Sequence, residues 1–467
     1  MYGTGAAEGD VVSKLRRVAT LRSDDGDGDG DGDDENGEDV KVEHVDRQML
    51  GQGAFGCVFA PALPCASAPR AAVSRAAVSK VFASEEAWAQ EVEANEFVAT
   101  EVDPDGAFTL RMQAACTVRM DRAAGPLHKC RAFVGSGTRL RKQIVAPQGG
   151  SSLHALTVLT AADFWKVVTG CGPIAATGLG ALARAGVAHM DIKPDNVLFA
   201  QRAVLIDFGI ARSFQDAFAA EASAERLESR YLFYPPEYHQ WGHALLGGPA
   251  PDHASVLHYV SSQAYRLVED GHGGVDSVQL SAAFKVAHVL DVQAWVQETS
   301  QFLADLQETV FADPRLFVKL VANKLDVFGF GVTLWAFCAR TWQDGFDDEA
   351  DAPCLAKLQM FIGGLTDPVV LRRPCPAAVA RLWRGLWDSA LTSGQYLQSL
   401  LVAQEQELRA SADAMGRTVA CAPRIPLLGT QLLDDGDGDG DSHGDFEFAP
   451  PRSFGSSPTV PFMHSGN

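Results

Sequence analysis

Apolar and polar positions along the chain predict short strands first and helices later. Val42, Val45 and Gln48-Met49-Leu50 lead into Gly51-Gln52-Gly53-Ala54-Phe55-Gly56, and Cys57-Val58-Phe59-Ala60 leaves it. A glycine-rich turn thus sits between two strands, with no helix opening after it. A third apolar run, Ala77-Val78-Ser79-Lys80-Val81-Phe82, carries one charge, Lys80. From about Ser84 to Glu101 the spacing becomes helical, with Ser84 and Glu86 suited to the first turn. On that helix Glu91 shares a face with Trp88, Ala94 and Val98, and Glu93 shares one with Gln90, Glu96 and Phe97. Val197-Leu198-Phe199 and Val204-Leu205-Ile206 predict two short buried strands joined by the turn Ala200-Gln201-Arg202. Later, Val256, Tyr259 and Val260, then Leu280, Ala283, Phe284, Ala287, Val289, Leu290, Trp295 and Val296, recur at near-helical spacing. Leu382, Trp383, Leu386 and Trp387 predict one more helix and Tyr396 to Leu408 another.

The two buried strands carry the candidate chemistry. Asp191-Ile192-Lys193-Pro194-Asp195-Asn196 precedes the first, and Asp207-Phe208-Gly209 follows the second. Taken singly, each aspartate reads as an ordinary cap or turn residue. Their joint spacing fits phosphoryl transfer, in which the protein orients an acceptor hydroxyl and holds Mg²⁺ against phosphate oxygens. Asp191 can accept the hydroxyl's hydrogen bond and Lys193 can steady the transferring phosphate. Asn196 and Asp207 offer hard oxygen ligands to the metal.

Leu50-Gly51-Gln52-Gly53-Ala54-Phe55-Gly56-Cys57-Val58 resembles the glycine-rich loop of eukaryotic-like protein kinases, and the Asp191 and Asp207 motifs resemble that family's catalytic and metal-binding loops. The resemblance implies an α+β, two-lobed fold, with an antiparallel sheet plus one helix in the N-lobe and a mainly helical C-lobe bearing a helical insertion. It implies ATP and Mg²⁺ as cofactors, with the loop residues Leu50 to Val58 covering the nucleotide. Lys80 stands where the family's strand lysine grips the phosphates, Val78 lies beside it, and Glu91, preferred over Glu93, would pair with it. Gln143 to Gly150 resembles the last N-lobe strand and hinge, with Val145, Ala146 and Gln148 near adenine. Pro147, lacking an N–H, leaves that contact to its neighbours. Tyr234-Pro235-Pro236-Glu237 resembles the end of the activation segment, and Asp326-Val327-Phe328-Gly329-Phe330-Gly331 the start of the central C-lobe helix. Arg373 is then the expected buried partner of Glu237. Small-molecule kinases typically lack the proline-glutamate segment, which favours a protein substrate, and Lys193 favours serine or threonine over tyrosine.

The departures are as informative. Met190 stands where the family usually has an arginine, so activity is not expected to require loop phosphorylation. Arg230, with Ser229 beside it, occupies the position seven before Glu237, where serine/threonine enzymes usually carry a hydroxyl residue. The resemblance covers roughly residues 44 to 390 and is interrupted by residues 238–325, read as a helical insert. Kinases of large DNA viruses often show a similar Tyr-Pro-Pro-Glu segment followed by a long insertion. The organisation expected is an acidic extension (1–43), an N-lobe (44–148), a C-lobe (149–392) with its insert, a helical extension (393–433) and an acidic, then Pro/Ser/Gly-rich tail (434–467). The competing reading from another class is a pseudokinase or docking scaffold acting through the insert and acidic tails.

Composition refines the picture. The net charge of −20 is concentrated in two tracts, Asp24 to Asp39 with ten acidic residues and Asp434 to Glu447 with seven. Without those 17 of 59 acidic residues, 42 face 39 basic ones, a balance of −3. Asp-Gly repeats cannot bury apolar surface and repel themselves. They would attract basic protein substrates in a way that high salt abolishes. Asp27-Gly28-Asp29-Gly30-Asp31-Gly32 with Glu38 matches a calcium-loop pattern, and Val11, Val12, Leu15, Val18 and Leu21 could make the entering helix. The strand pattern after Glu38 leaves no exiting helix, and Asp34 takes an apolar position, so low-complexity coincidence is the better reading. The nine cysteines are scattered without a C-x-x-C pair, indicating neither a disulfide framework nor a zinc site, and Cys57 beside the loop reads as a packing residue. With no apolar run of spanning length, no secretory signal and Tyr2 at position two, a soluble intracellular protein is expected, with neither a membrane nor a specific nucleic acid as partner.

Overall fold

Alternating apolar positions in the first third of the chain build one antiparallel sheet: β1 (Gln48–Gly53), β2 (Gly56–Ala60), β3 (Ala77–Phe82), β4 (Ala114–Arg119) and β5 (Leu140–Pro147), in the order β1-β2-β3-β5-β4. This is seen in a computed structural model that describes residues 47–53, 55–66, 76–119, 130–133, 140–214, 233–235, 237–238, 314–343, 346, 351–367 and 369–414. Val42, Val45, both acidic tracts, the calcium-like pattern with its entering helix, Ala54, Ser229, Arg230, Pro236, the apolar positions from Val256 to Val296 and the tail after 434 lie outside the described residues. The described residues all belong to a single unit.

Because side chains alternate across a strand, register assigns each one to a face. Val58 pairs with Lys80, Lys80 with Ile144, and Val78 with Ala146, so these share a face. Cys57, Phe59, Val81 and Val145 lie on the other, where Cys57, Phe59 and Val81 pack with Leu63, Val118 and Phe133, and Val145 packs with Ala62 and Ala77.

That second face is also cross-linked, contrary to the cysteine expectation. Cys57 is bonded to Cys130 and Cys65 to Cys116, closing separations of 73 and 51 residues. Scattered cysteines carry no spacing signal because the sheet, not the local chain, brings them together.

Helix α1 (Glu85–Phe97) starts where the Ser84 hydroxyl accepts from the Ala87 N–H at 3.2 Å, and it runs into a wider turn, Val98–Val102. Trp88 Nε1 donates to the Gln143 carbonyl at 3.2 Å and fastens the helix to β5. After the turn, the buried Asp103 carboxylate accepts from the backbones of Ala107, Phe108 and Thr109 and from the Thr109 hydroxyl. Thr109 then bridges to Leu205.

The rest is mainly helical: α2 (Ala161–Gly170), α3 (Leu179–Arg184), α4 (Pro314–Thr341), α5 (Ala352–Leu365), α6 (Pro376–Leu386) and α7 (Ser393–Ala414). They surround one core that includes Phe164, Ile174, Phe330, Leu334, Phe361 and Trp383. Small sheets thread between them: β6 (Ser151–Ser152), β8 (Val197–Phe199) and β9 (Ala203–Leu205) form one, and β7 (Val187–Ala188) with β10 (Arg212–Ser213) another. The fold is therefore mixed α+β with an antiparallel sheet. One correction concerns α4, which does not begin at Asp326: residues 314–325 belong to the same helix. The stretch Ala161–Arg184 is long and apolar enough to cross a membrane by length and composition, but half of its apolar window is buried inside the protein, as in a core helix.

The α7 extension is docked rather than loose. Thr392 and Gln395 cap it reciprocally, Tyr396, Leu400 and Ala403 are buried, and Lys324 of α4 meets Glu407 at 3.2 Å. Nearby, Arg373 and Glu237 form the expected ion pair, both fully buried, at 2.7 Å, and Arg373 also donates to the Asp367 carbonyl at 2.9 Å.

These buried links set two stability outcomes. Glu237→Ala leaves a guanidinium unpaired in the core and should lower the unfolding free energy by about 3–5 kcal/mol in urea titrations. Reducing either disulfide, or replacing Cys57 or Cys65 by serine, should cost about 2–4 kcal/mol in the same assay.

Candidate active site

Lys80 projects from the sheet face opposite the disulfides, and two carboxylates converge on it. Its Nζ lies 2.5 Å from Glu91 Oε2 and 2.8 Å from Asp207 Oδ1. Glu91 is buried on α1, which brings it there; Glu93, the alternative, is half-buried and makes no ion pair with Lys80. Asp207 arrives through β8 and β9, the hairpin whose turn lies at residues 200–202 as the pattern predicts. It sits at φ +66°, a left-handed backbone that costs energy outside glycine. Gly209 allows the close approach: a Cβ there would lie 3.0 Å from Glu91 Oε2 and 3.3 Å from Asp207 Oδ1.

Three charges in so dry a place shift one another. Burial pushes the Glu91 carboxyl up to about 7, with Lys80 only partly offsetting it. At Lys80 burial favours the neutral form, but the two carboxylates outweigh it and hold the ammonium above its ordinary pKa. At Asp207 burial pushes upward and Lys80 pulls downward, and the lysine wins, so this carboxyl lies below its ordinary value. Lys80 is thus held toward its charged form and Asp207 toward its ionised form, while burial pushes Glu91 toward its neutral one.

The second cluster forms on the loop between β7 and β8. Asp191 Oδ2 accepts from Lys193 Nζ at 2.9 Å and from Asn196 Nδ2 at 2.7 Å. Asn196 Nδ2 also reaches the Asp191 carbonyl at 3.0 Å, and the Ile206 N–H donates to the Asn196 carbonyl at 3.0 Å, which ties this loop to the strand leading into Asp207.

Asn196 places its amide nitrogen on Asp191, which leaves its oxygen as a hard donor. His189, a residue the sequence pattern did not single out, is fully buried beneath this loop. Its Nδ1 accepts the Asp191 N–H at 3.2 Å, so Nε2 carries the proton and donates to the Ile206 carbonyl at 3.2 Å. Its one sequence signal is a polar side chain inside the apolar run from Val187 to Met190.

Asp326 on α4 holds the loop from below. Its carboxylate accepts from the His189 N–H at 2.7 Å and the Met190 N–H at 3.1 Å, which sustains Met190 at φ +67°. Thr333, one further position without a signal in the sequence, places its hydroxyl 2.7 Å from the Gly329 carbonyl of its own helix and 3.2 Å from the Ile192 carbonyl.

The glycine hairpin lies at the sheet edge. Gly56 is required by β3: a Cβ there would stand 1.9 Å from the Val81 carbonyl oxygen, whereas Gly51 and Gly53 have open space around them. Leu50, at an irregularity in the β1–β2 register, and Phe55 expose apolar side chains, and Gln52 accepts from the Arg131 N–H at 3.4 Å. Val58 and Val78 lie on the Lys80 face. Three expectations need correction. The Cys57 side chain is buried in its disulfide on the opposite face, and the Val145 side chain is buried on that face as well. The Gln148 N–H donates to the Ala76 carbonyl at 2.9 Å and the Val145 carbonyl accepts from the Gln113 N–H at 2.7 Å, while Ala146 is paired within the sheet to Val78. These strand bonds occupy the Gln148 N–H and the Val145 carbonyl, backbone groups of the segment expected to contact adenine.

Asn196 and Asp207 fit Mg²⁺ chemically: two hard oxygen donors suffice when phosphate and water oxygens complete the octahedron. Among the described residues no three His, Cys, Asp or Glu side chains form a self-sufficient metal site. No protein-family model matches the chain, and no curated protein matches it either.

The Glu91 shift has a pH signature. A folded pKa raised from 4.5 to about 7 contributes stability that is fully present below about 4.5 and lost as pH rises through about 7. Glu91→Gln should therefore flatten the fall in thermal midpoint between those pH values, measured by scanning calorimetry.

Proposed function

We propose that the chain is a two-lobed protein kinase that transfers the γ-phosphoryl group of ATP to serine or threonine hydroxyls of protein substrates. The observation that carries this reading is the meeting of Lys80, Glu91 and Asp207 at 2.5 and 2.8 Å beside a loop in which Lys193 and Asn196 both hold Asp191. The sheet with α1 forms the N-lobe of this reading and the helical part its C-lobe.

Each residue's role follows from its surroundings. Lys80, kept charged by its carboxylates, binds nucleotide phosphate oxygens, and Glu91 sets the reach of its stem. Asp191, oriented by two donors, accepts the hydrogen bond of the substrate hydroxyl and aims its oxygen at the phosphorus. Lys193 sits on the same carboxylate and is placed to offset negative charge on the transferring group. Asn196 and Asp207 would hold Mg²⁺, which supplies charge neutralisation at the phosphates when bound. The exposed Leu50 and Phe55 offer apolar cover to the nucleotide. Protein substrate is supported by the Glu237–Arg373 pair, which ties the end of the segment after Asp207 into the helical core.

The decisive assay is transfer of radiolabel from ATP to mixed basic proteins, with Asp191→Ala alongside. Wild-type labelling should fall by about 10²-fold or more in the variant. Equal labelling by the variant overturns the catalytic assignment, and nucleotide binding without any transfer by wild type turns the reading to a docking scaffold.

A further inference from the structure

We propose that Arg212 is a positioning residue, which holds α1 and therefore Glu91 in place through the side chain of Gln90. This rests on the kinase reading above. Arg212 lies in β10, five residues after Asp207, and pairs with Ala188 of β7. Its guanidinium faces the Gln90 amide on α1. Two NH groups cannot donate to each other, so the amide is turned with its oxygen toward the arginine. That oxygen then accepts from Nη1 at 2.8 Å and also from Nη2.

The position of this contact gives it leverage. Gln90 is the neighbour of Glu91, whose Oε2 must stay against Lys80. Arg212 is fixed from the other side: β10 pairs with β7, the Phe214 N–H donates to the Gly186 carbonyl at 2.8 Å, and β7 leads to the His189–Met190 turn held by Asp326. The contact thus links the rigid loop of Asp191 to the helix that serves Lys80. No phosphoryl group takes part in it, and a part-exposed, charge-assisted pair is enough to bias a single helix. Met190, which carries no charge and is buried, adds no second cation at this junction.

The test is a double-mutant cycle on the full chain with Arg212→Ala, Gln90→Ala and the double variant, plus Gln90→Glu, which keeps an oxygen acceptor. Two readouts are taken: steady-state transfer, and amide hydrogen exchange across residues 85–97 without nucleotide. Each single variant should lower kcat/KM for ATP about fivefold, the scale of one part-exposed charge-assisted hydrogen bond, with KM for the protein acceptor unchanged. The double variant should be no worse than either single one, Gln90→Glu should retain activity, and exchange across 85–97 should rise equally in both alanine variants. Additive losses, or unchanged exchange, overturn the proposal even if wild type is an active kinase. Faster exchange in both variants with no transfer by wild type supports the contact as the holder of α1 and overturns instead the kinase reading on which its catalytic use rests.

Discussion

A lysine can stay charged inside a protein only if opposite charge reaches it, and Lys80 is reached from two directions. Glu91 comes from a helix packed on the sheet, Asp207 from a hairpin embedded among the helices. Glu91 lies 11 residues from Lys80 in sequence and Asp207 lies 127, so their joint contact with it is a constraint on how sheet, helix and hairpin are assembled. Desolvation alone would drive each of the three groups toward its neutral form. Together they compromise: the lysine keeps Asp207 below its ordinary value, the two carboxyl groups keep Lys80 above its own, and burial raises Glu91.

The same logic governs the strained backbone around the site. Met190 and Asp207 both occupy left-handed conformations, each costing on the order of 1–3 kcal/mol. Asp326 offsets the first by accepting two backbone N–H groups from full burial, and Lys80 offsets the second by holding the Asp207 side chain. Burial pushes the Asp326 carboxyl up, and His189 with the two N–H groups counters it. The two left-handed residues thus flank the Asp191 loop and the Lys80 contact, each held by a polar partner.

Much of the site was legible because its residues are tied to short-range patterns. The turn between Phe199 and Ala203 falls where the alternation breaks, and the Ser84 cap falls where helical spacing begins. Glu91 is preferred to Glu93 from the face it shares with Trp88, the residue that anchors α1 to β5. What failed did so for tertiary reasons. The resemblance places Cys57 and Val145 among the nucleotide-lining positions, but a strand alternates and sends both to the far face, where Cys57 packs as its own reading expects. Gln148 was given to adenine, yet its N–H is used by the Ala76 carbonyl. The two disulfides join cysteines 73 and 51 residues apart, a separation with no local pattern.

The order of residues alone specified the elements and the chemical inventory: which runs become strands or helices, where a glycine turn falls, and which lysine, aspartates and asparagine can act. Local sterics and hydrophobic period act over a few residues, so they can be read along the chain. Partners and faces were settled by assembly instead: Glu91 and Asp207 on Lys80, Asp326 beneath His189, Arg212 against Gln90, and Cys57 turned away from the cleft. Those depend on register and on packing between distant segments, where burial makes an unpaired polar group costly and so selects one arrangement.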